Sequence, residues 1–179
     1  MSKTKFITRT AVILALAVMF QNLRYLIGAM PNSNLIIGSL VNLTIIVATG
    51  SVGLLSGIIV SLVTPIVAFY QGHLPHFFLA PVTMLGNCVF AVIFYLLIKS
   101  KLTQPVSTAL GIVSGAIIKW IVLYWLGIKI VLDLFIPDMP AQKASVIAAA
   151  FNIPQIITAL IGGILGAVII KVINSKHTL

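Results

Sequence analysis

The sequence predicts an all-α membrane protein, a compact bundle of six transmembrane helices with both termini in the cytoplasm. Hydrophobic residues make up 60% of the 179 residues and charged residues only 7%, far from the averages of soluble domains. The apolar runs approach the length of roughly 20 residues that a bilayer span requires. A chain of this size forms one integral membrane domain, residues 1–179.

The predicted helices are joined by short connections. Gly50 and Ser51 leave almost no loop between helices 2 and 3, which predicts a tight antiparallel pair. Pro65 and Pro154 lie inside helices 3 and 6 and predict a kink in each, because proline removes a backbone donor. The predicted bounds are 6–28, 35–49, 52–70, 81–98, 106–128 and 144–173.

Small residues spaced four apart recur in these helices. Such pairs let two helix backbones approach closely. In helix 1, Ala11 and Ala15 have this spacing and either dock a partner protein or serve internal packing. Glycine pairs with the same spacing, which predict a closely packed bundle, are Gly53/Gly57, Gly111/Gly115 and Gly162/Gly166.

Basic residues at the helix ends predict the orientation, since cytoplasmic flanks of membrane helices are rich in lysine and arginine. With the amino terminus inside, the outer flanks hold only Lys129 and Lys143, and Arg24 and Lys119 lie within spans. This topology explains the net charge of +9 better than a nucleic-acid partner, and none is expected. The inner flanks hold Lys3, Lys5, Arg9, Lys99, Lys101, Lys171 and Lys176.

Acidic residues are almost absent, which excludes several classes of membrane protein. Asp133 and Asp138 are the only two, and neither is expected inside the membrane. Metal-dependent hydrolases, aspartyl proteases and most proton-coupled carriers need intramembrane carboxylates. The sequence also lacks the phosphate loop GxxxxGK[ST] and the nucleophile elbow GxSxG. We therefore expect neither an enzyme nor a bound metal.

Polar residues within the spans concentrate toward the outer side, whereas the inner halves contain little but aliphatic residues, glycine and hydroxyls. This distribution predicts an outward-facing cavity that binds a small polar or amphipathic molecule. An alternative for each amide is a hydrogen bond between helices. The predicted substrate-binding residues are Arg24, Tyr25, Asn42, Asn87, Lys119, Trp120, Tyr124, Asn152 and Gln155.

Lys119 and Arg24 are the strongest individual candidates, because a charge within a span needs water, an anion or a ligand. Lys129 and Lys143 are interpreted as solvated loop residues. The spacing of His73 and His76 is compatible with metal binding, but Pro75 lies between them and no carboxylate or cysteine accompanies them. We interpret these histidines as part of a loop or lid.

The chain resembles the substrate-binding S components of energy-coupling factor (ECF) transporters. The resemblance rests on Ala11 and Ala15 in TAVILALAV, on 38–42, on Thr64-Pro65, and on 81–87, written PVTMLGN. It implies a subunit of a prokaryotic plasma membrane that binds a vitamin or related micronutrient from outside. It also implies association with the transmembrane coupling subunit EcfT and two ATPases, with Ala11 and Ala15 contacting EcfT.

The resemblance leaves the substrate open. Arg24 and Lys119 suit a carboxylate such as pantothenate, whereas the amides and aromatic rings suit cobalamin or a riboflavin-like ring system equally well. No cofactor is expected in this chain, because ATP is used by the partner subunits. A stand-alone channel or facilitator for a micronutrient is the alternative function, and it would not need the coupling subunit.

Overall fold

The computed structural model describes residues 1–27, 33–135 and 137–175, whose regular structure is entirely helical. The second helix ends in a wider π-helical turn, Ala48–Val52, and the fifth continues as a π-helix, Leu123–Phe135. The α-helices are α1 (Lys3–Ile27), α2 (Ser33–Val47), α3 (Leu54–Tyr70), α4 (Leu79–Ile98), α5 (Gln104–Val122), α6 (Ala141–Ala150) and α7 (Ile153–Ser175).

The predicted membrane bundle is confirmed. Within the described residues, five helices are long and apolar enough to cross a bilayer: α1, α2 with its π-turn, α4, α5 with its π-helix, and α6 together with α7. Helix α3 is equally apolar but has 17 residues, which is close to the minimum length of a span. Gly28, at the predicted end of helix 1, lies outside the described residues.

Two elements differ from their predicted form. The fifth helix extends beyond Ile128 to Phe135, because the π-helix continues through a run that remains apolar. The sixth, predicted as one kinked helix over 144–173, is divided at Phe151 and Asn152, just before Ile153 and Pro154, into α6 and α7. Helix α3, by contrast, runs continuously through Pro65.

Helices α2 and α7 form the most extensive contact of the bundle, and α4 packs on both α3 and α5. Gly162 and Gly166 face α2, while Gly111 and Gly115 face Phe94 and Phe90 of α4. These two glycine pairs therefore have the predicted role. Gly53 does not, because it is a turn residue with φ of 133° between the π-turn and α3.

The core has two apolar clusters at different depths. The inner cluster is built around Phe90, Phe94 and Ile46, with Ala17 contributed by α1. The outer cluster joins the start of α4, the π-helix and the α6–α7 break. Its buried residues are Leu79, Val82, Leu123, Val131, Leu132, Ile147 and Phe151.

Gly162→Ala is expected to destabilise the bundle by about 1–3 kcal/mol, the usual cost of overpacking. The added methyl group would meet backbone atoms of α2, the carbonyl oxygen of Ser39 and, at 2.8 Å, the Leu43 nitrogen. Gly111→Ala is the matched control, because there the nearest atom is Cδ2 of the Phe94 ring at 3.0 Å and not a backbone atom of the facing helix. Thermal unfolding in detergent compares the two, and an equal or larger loss in the control would contradict the prediction.

Candidate functional site

The contacts of the predicted site residues fall into three groups, of which the first two share Gln155. The first group is a buried hydrogen-bond network that joins three helices. The Lys119 ammonium of α5 donates to Asn42 Oδ1 of α2 at 2.6 Å. The Asn42 amide donates to Thr158 Oγ1 of α7 at 3.3 Å, and that hydroxyl donates to the Gln155 carbonyl oxygen. Lys119 and Asn42 are both 2% exposed. The lysine is therefore held by an amide inside the bundle.

Aromatic packing completes the surroundings of Lys119. Its Nζ lies 5.6 Å from the ring centroid of Phe90, within the range of a cation–π contact. Asn87 lies one turn before Phe90 in α4 and is 3% exposed. Thr158 is the member of this network that sequence reasoning missed, because a threonine in an apolar run carries no signal of its own.

The second group surrounds the break between α6 and α7. The Trp120 indole N–H donates to Asn152 Oδ1 at 3.2 Å, and the rings of Trp120 and Tyr124 lie 5.9 Å apart. The Gln155 side chain donates to the Ala150 carbonyl oxygen, which is left free where α6 ends. These four residues are part of the predicted substrate-binding set, and their contact with a substrate stays a prediction. In this structure their amides stabilise the helix break.

The third group lies at the outer end of α1. Gln71 donates to Asn22 Oδ1 at 3.0 Å, and the Tyr25 hydroxyl donates to the Gln71 carbonyl oxygen at 3.5 Å. Tyr25 is 68% exposed, and Arg24 is half-buried. Burial lowers the pKa of His73, and the positive charge of Arg24 lowers it further. Arg24 therefore lies close to the loop that follows α3.

Acidification is expected to weaken the contact of this loop with α1. The folded-state pKa of His73 lies below the ordinary value of about 6.5, so unfolded chains bind the proton more readily as the pH falls through that value. The thermal unfolding midpoint should therefore fall more in wild type than in His73→Gln between about pH 7.5 and about pH 5.5. Equal falls in the two proteins would contradict this.

One cavity at the outer end is lined by none of the nine predicted substrate-binding residues. It has a volume of about 770 Å³ and lies between the loop after α3 and the first turns of α6. A second cavity of about 470 Å³ shares Met139 with it. The sequence signal was the segment with Pro75 and His76, which we interpret from the sequence as part of a loop or lid. The residues lining the larger cavity are Pro75, His76, Asp138, Met139, Pro140, Gln142, Lys143, Val146 and Ile147.

Several features of this cavity suit a ligand. Its wall combines aliphatic side chains with Asp138 and Lys143. The prediction that Lys129 and Lys143 are loop residues is wrong, because Lys129 lies in the π-helix and Lys143 in α6, although both are exposed. His76 stacks on Phe78 with the ring centroids 5.7 Å apart. The buried Nδ1 of His76 has no hydrogen-bond partner among the described residues. Mixed apolar and polar lining of this kind is typical of small-molecule sites.

The small residues of α1 lie on the outside of the bundle. Ala11 and Ala15 are both exposed, whereas Thr10, Ile13 and Ala17 of the same helix are buried. Thr10 donates to Ser56 Oγ at 2.9 Å, and Gln21 donates to the Thr64 carbonyl oxygen, so α1 is attached to α3 through its other face. The alternative that these alanines serve internal packing is therefore not supported by the contacts of α1.

Comparison with known proteins identifies the family. Residues 5–174 match the model of the substrate-specific component of ECF transporters. Neither curated proteins nor solved structures give a significant match. The match spans nearly the whole chain and agrees with the apolar helical bundle. The chain belongs to the family of substrate-specific components of ECF transporters.

Proposed function

We propose that this chain binds a vitamin or related micronutrient at the outer face of a prokaryotic plasma membrane. It delivers this cargo by associating with EcfT and two ATPase subunits, which supply the energy from ATP. The observation that carries the proposal is the outer cavity of about 770 Å³, whose size lies in the range of pockets for small organic molecules.

The distribution of polar groups supports binding from outside. The cavity is lined by side chains of both charges, and the Trp120–Asn152 pair lies at the helix break below α6. The inner cluster around Phe90 and Phe94 is apolar. A site that is open at one end and closed by an apolar core suits capture of a solute better than free passage.

The chemistry of the wall guides the choice of cargo. Lys143 and Asp138 suit a molecule that carries an anionic group and a hydrogen-bond donor, while Met139 and Ile147 suit its apolar part. Pantothenate fits this description through its carboxylate, hydroxyls and amide. A riboflavin-like ring or cobalamin would make more use of the aromatic residues Trp120 and Tyr124.

The exposed alanines support the assembly step. Ala11 and Ala15 give α1 a surface with little side-chain bulk, so a helix of EcfT approaches its backbone closely and without ordering long side chains. A transporter subunit moves its cargo only when EcfT and the ATPases are present. A stand-alone facilitator would not need them.

Mass spectrometry of bound small molecules tests the proposal. The full chain is purified in mild detergent from cells grown in rich medium, extracted, and compared with an Asp138→Asn, Lys143→Gln variant prepared in the same way. We expect one vitamin in near-stoichiometric amount in wild type and a reduced amount in the variant. An empty wild type that also binds no member of a vitamin panel on titration would contradict the proposal.

A further inference from the structure

A third cavity lies at the opposite end of the molecule from the two outer cavities and belongs to a different surface. It is a groove of about 430 Å³ where the inner half of α1 meets α2 and α7. On α1 it extends from Thr8 and Arg9 to Phe20, and Ile173 of α7 lies on its other side. Among its lining residues Arg9 is the only charged one.

The wall of this groove is almost wholly aliphatic and aromatic. The two hydroxyls that α2 and its π-turn contribute are already used, since Thr44 donates to the Val41 carbonyl oxygen and Ser51 to that of Val47. Polar recognition along the walls is therefore weak, and the groove suits a hydrocarbon chain. The polar end of such a ligand would lie at Arg9.

The dimensions of the groove match those of one lipid chain in one leaflet. From Thr8 to Phe20 the helix rises about 18 Å, at 1.5 Å per residue. Half of a bilayer hydrocarbon core is about 15 Å thick. With Arg9 at the level of the headgroups, the groove therefore ends near the middle of the membrane, where an acyl chain also ends.

The positive charge at this end of the molecule favours a lipid with an anionic headgroup. Arg9 is exposed and lies in the first turns of α1, close to Lys3 and Lys5. The two acidic residues of the chain, Asp133 and Asp138, lie at the outer end, beside the outer cavities. A negative phosphate near Arg9 therefore meets attraction from several cations and no repulsion from a nearby carboxylate.

We propose that this groove is a binding site for an anionic phospholipid of the inner leaflet, with one acyl chain along α1 and the phosphate at Arg9. The site is distinct from the surface of Ala11 and Ala15, which do not line it. It is also independent of the cargo cavity.

Native mass spectrometry of the full chain tests this proposal. The protein in mild detergent is titrated with phosphatidylglycerol or phosphatidylcholine that carry identical acyl chains. We expect a preference for phosphatidylglycerol of about fivefold, the effect of one basic side chain at an anionic membrane surface. Arg9→Gln should remove the preference, and Leu16→Trp, which fills the groove, should weaken binding of both lipids.

Matched controls lie outside the groove. Lys101→Gln removes another exposed charge, and Leu110→Trp adds the same bulk to an exposed position of α5. Both should bind lipid as wild type does. Equal binding of the two lipids by wild type, or a preference that survives Arg9→Gln, would overturn the proposal. So would a Leu16→Trp protein that retains lipid binding but loses assembly with EcfT, since the groove would then belong to a partner helix.

Discussion

Ala15→Trp is expected to reduce cargo uptake by about tenfold or more, because losing ~1.4 kcal/mol of association free energy already weakens assembly tenfold. Ala15 is exposed on α1, so the indole would project from the bundle and hold the EcfT helix away. Cargo binding to the isolated subunit should be unchanged, since the outer cavity includes no residue of α1. Ala11→Trp is expected to act in the same way.

Uptake into vesicles or cells that contain EcfT and both ATPases measures this effect, and pull-down of EcfT shows its cause. Ala109→Trp is the matched control, because Ala109 is also exposed but lies on α5. It should transport and assemble normally. Loss of cargo binding in Ala15→Trp with normal assembly would contradict the coupling role.

Asn42→Leu is expected to destabilise the bundle by about 2–3 kcal/mol, since it leaves the buried Lys119 ammonium without its acceptor and a hydrogen bond to a charged group is worth about that much. Lys119→Met should cost less, because the Asn42 amide keeps its contact with Thr158. The double variant should be more stable than the sum of the two losses predicts, with a coupling of about 1–2 kcal/mol. Unfolding in detergent measures all three.

The same variants test whether Lys119 also contacts the cargo, as the sequence predicts. If it does, Lys119→Met should weaken the binding of an anionic cargo more than Asn42→Leu does, because Asn42→Leu removes no charge. Equal affinities in wild type and Lys119→Met would leave Lys119 with its structural role alone. Additive stability losses would instead show that the Asn42–Lys119 contact is energetically unimportant.

Much of the fold is predictable from sequence, because the length of each apolar run and the residues that end a helix are local features of the sequence. The starts and ends of α1, α3 and α4 lie within about three residues of their predicted positions, within the usual uncertainty of helix boundaries. The π-helix Leu123–Phe135 was not predicted, because its residues are as apolar as those of an α-helical span. It packs against α4 and α6, and apolar length alone does not predict such contacts.

The sequence predicts the region in which the polar residues lie better than it predicts which of them contact one another. Depth alone places Trp120, Tyr124 and Asn152 near one another, and the structure does the same. Hydropathy gives no information on hydrogen-bond partners, so the bond from the Asn42 amide to the Thr158 hydroxyl could not be predicted. The residues around the 770 Å³ cavity come from two connections and from α6, and the sequence does not show that these segments meet.

The two apolar cores have a consequence for how such a protein evolves. Residues around Leu123 and Phe151 shape the outer end, whereas those around Phe90 and Phe94 hold the inner half of α1 in position. Substitutions at distant sites without shared partners act almost independently on stability. If the proposed function holds, selection for a new nutrient can remodel the outer end while the α1 surface proposed to meet EcfT is inherited unchanged.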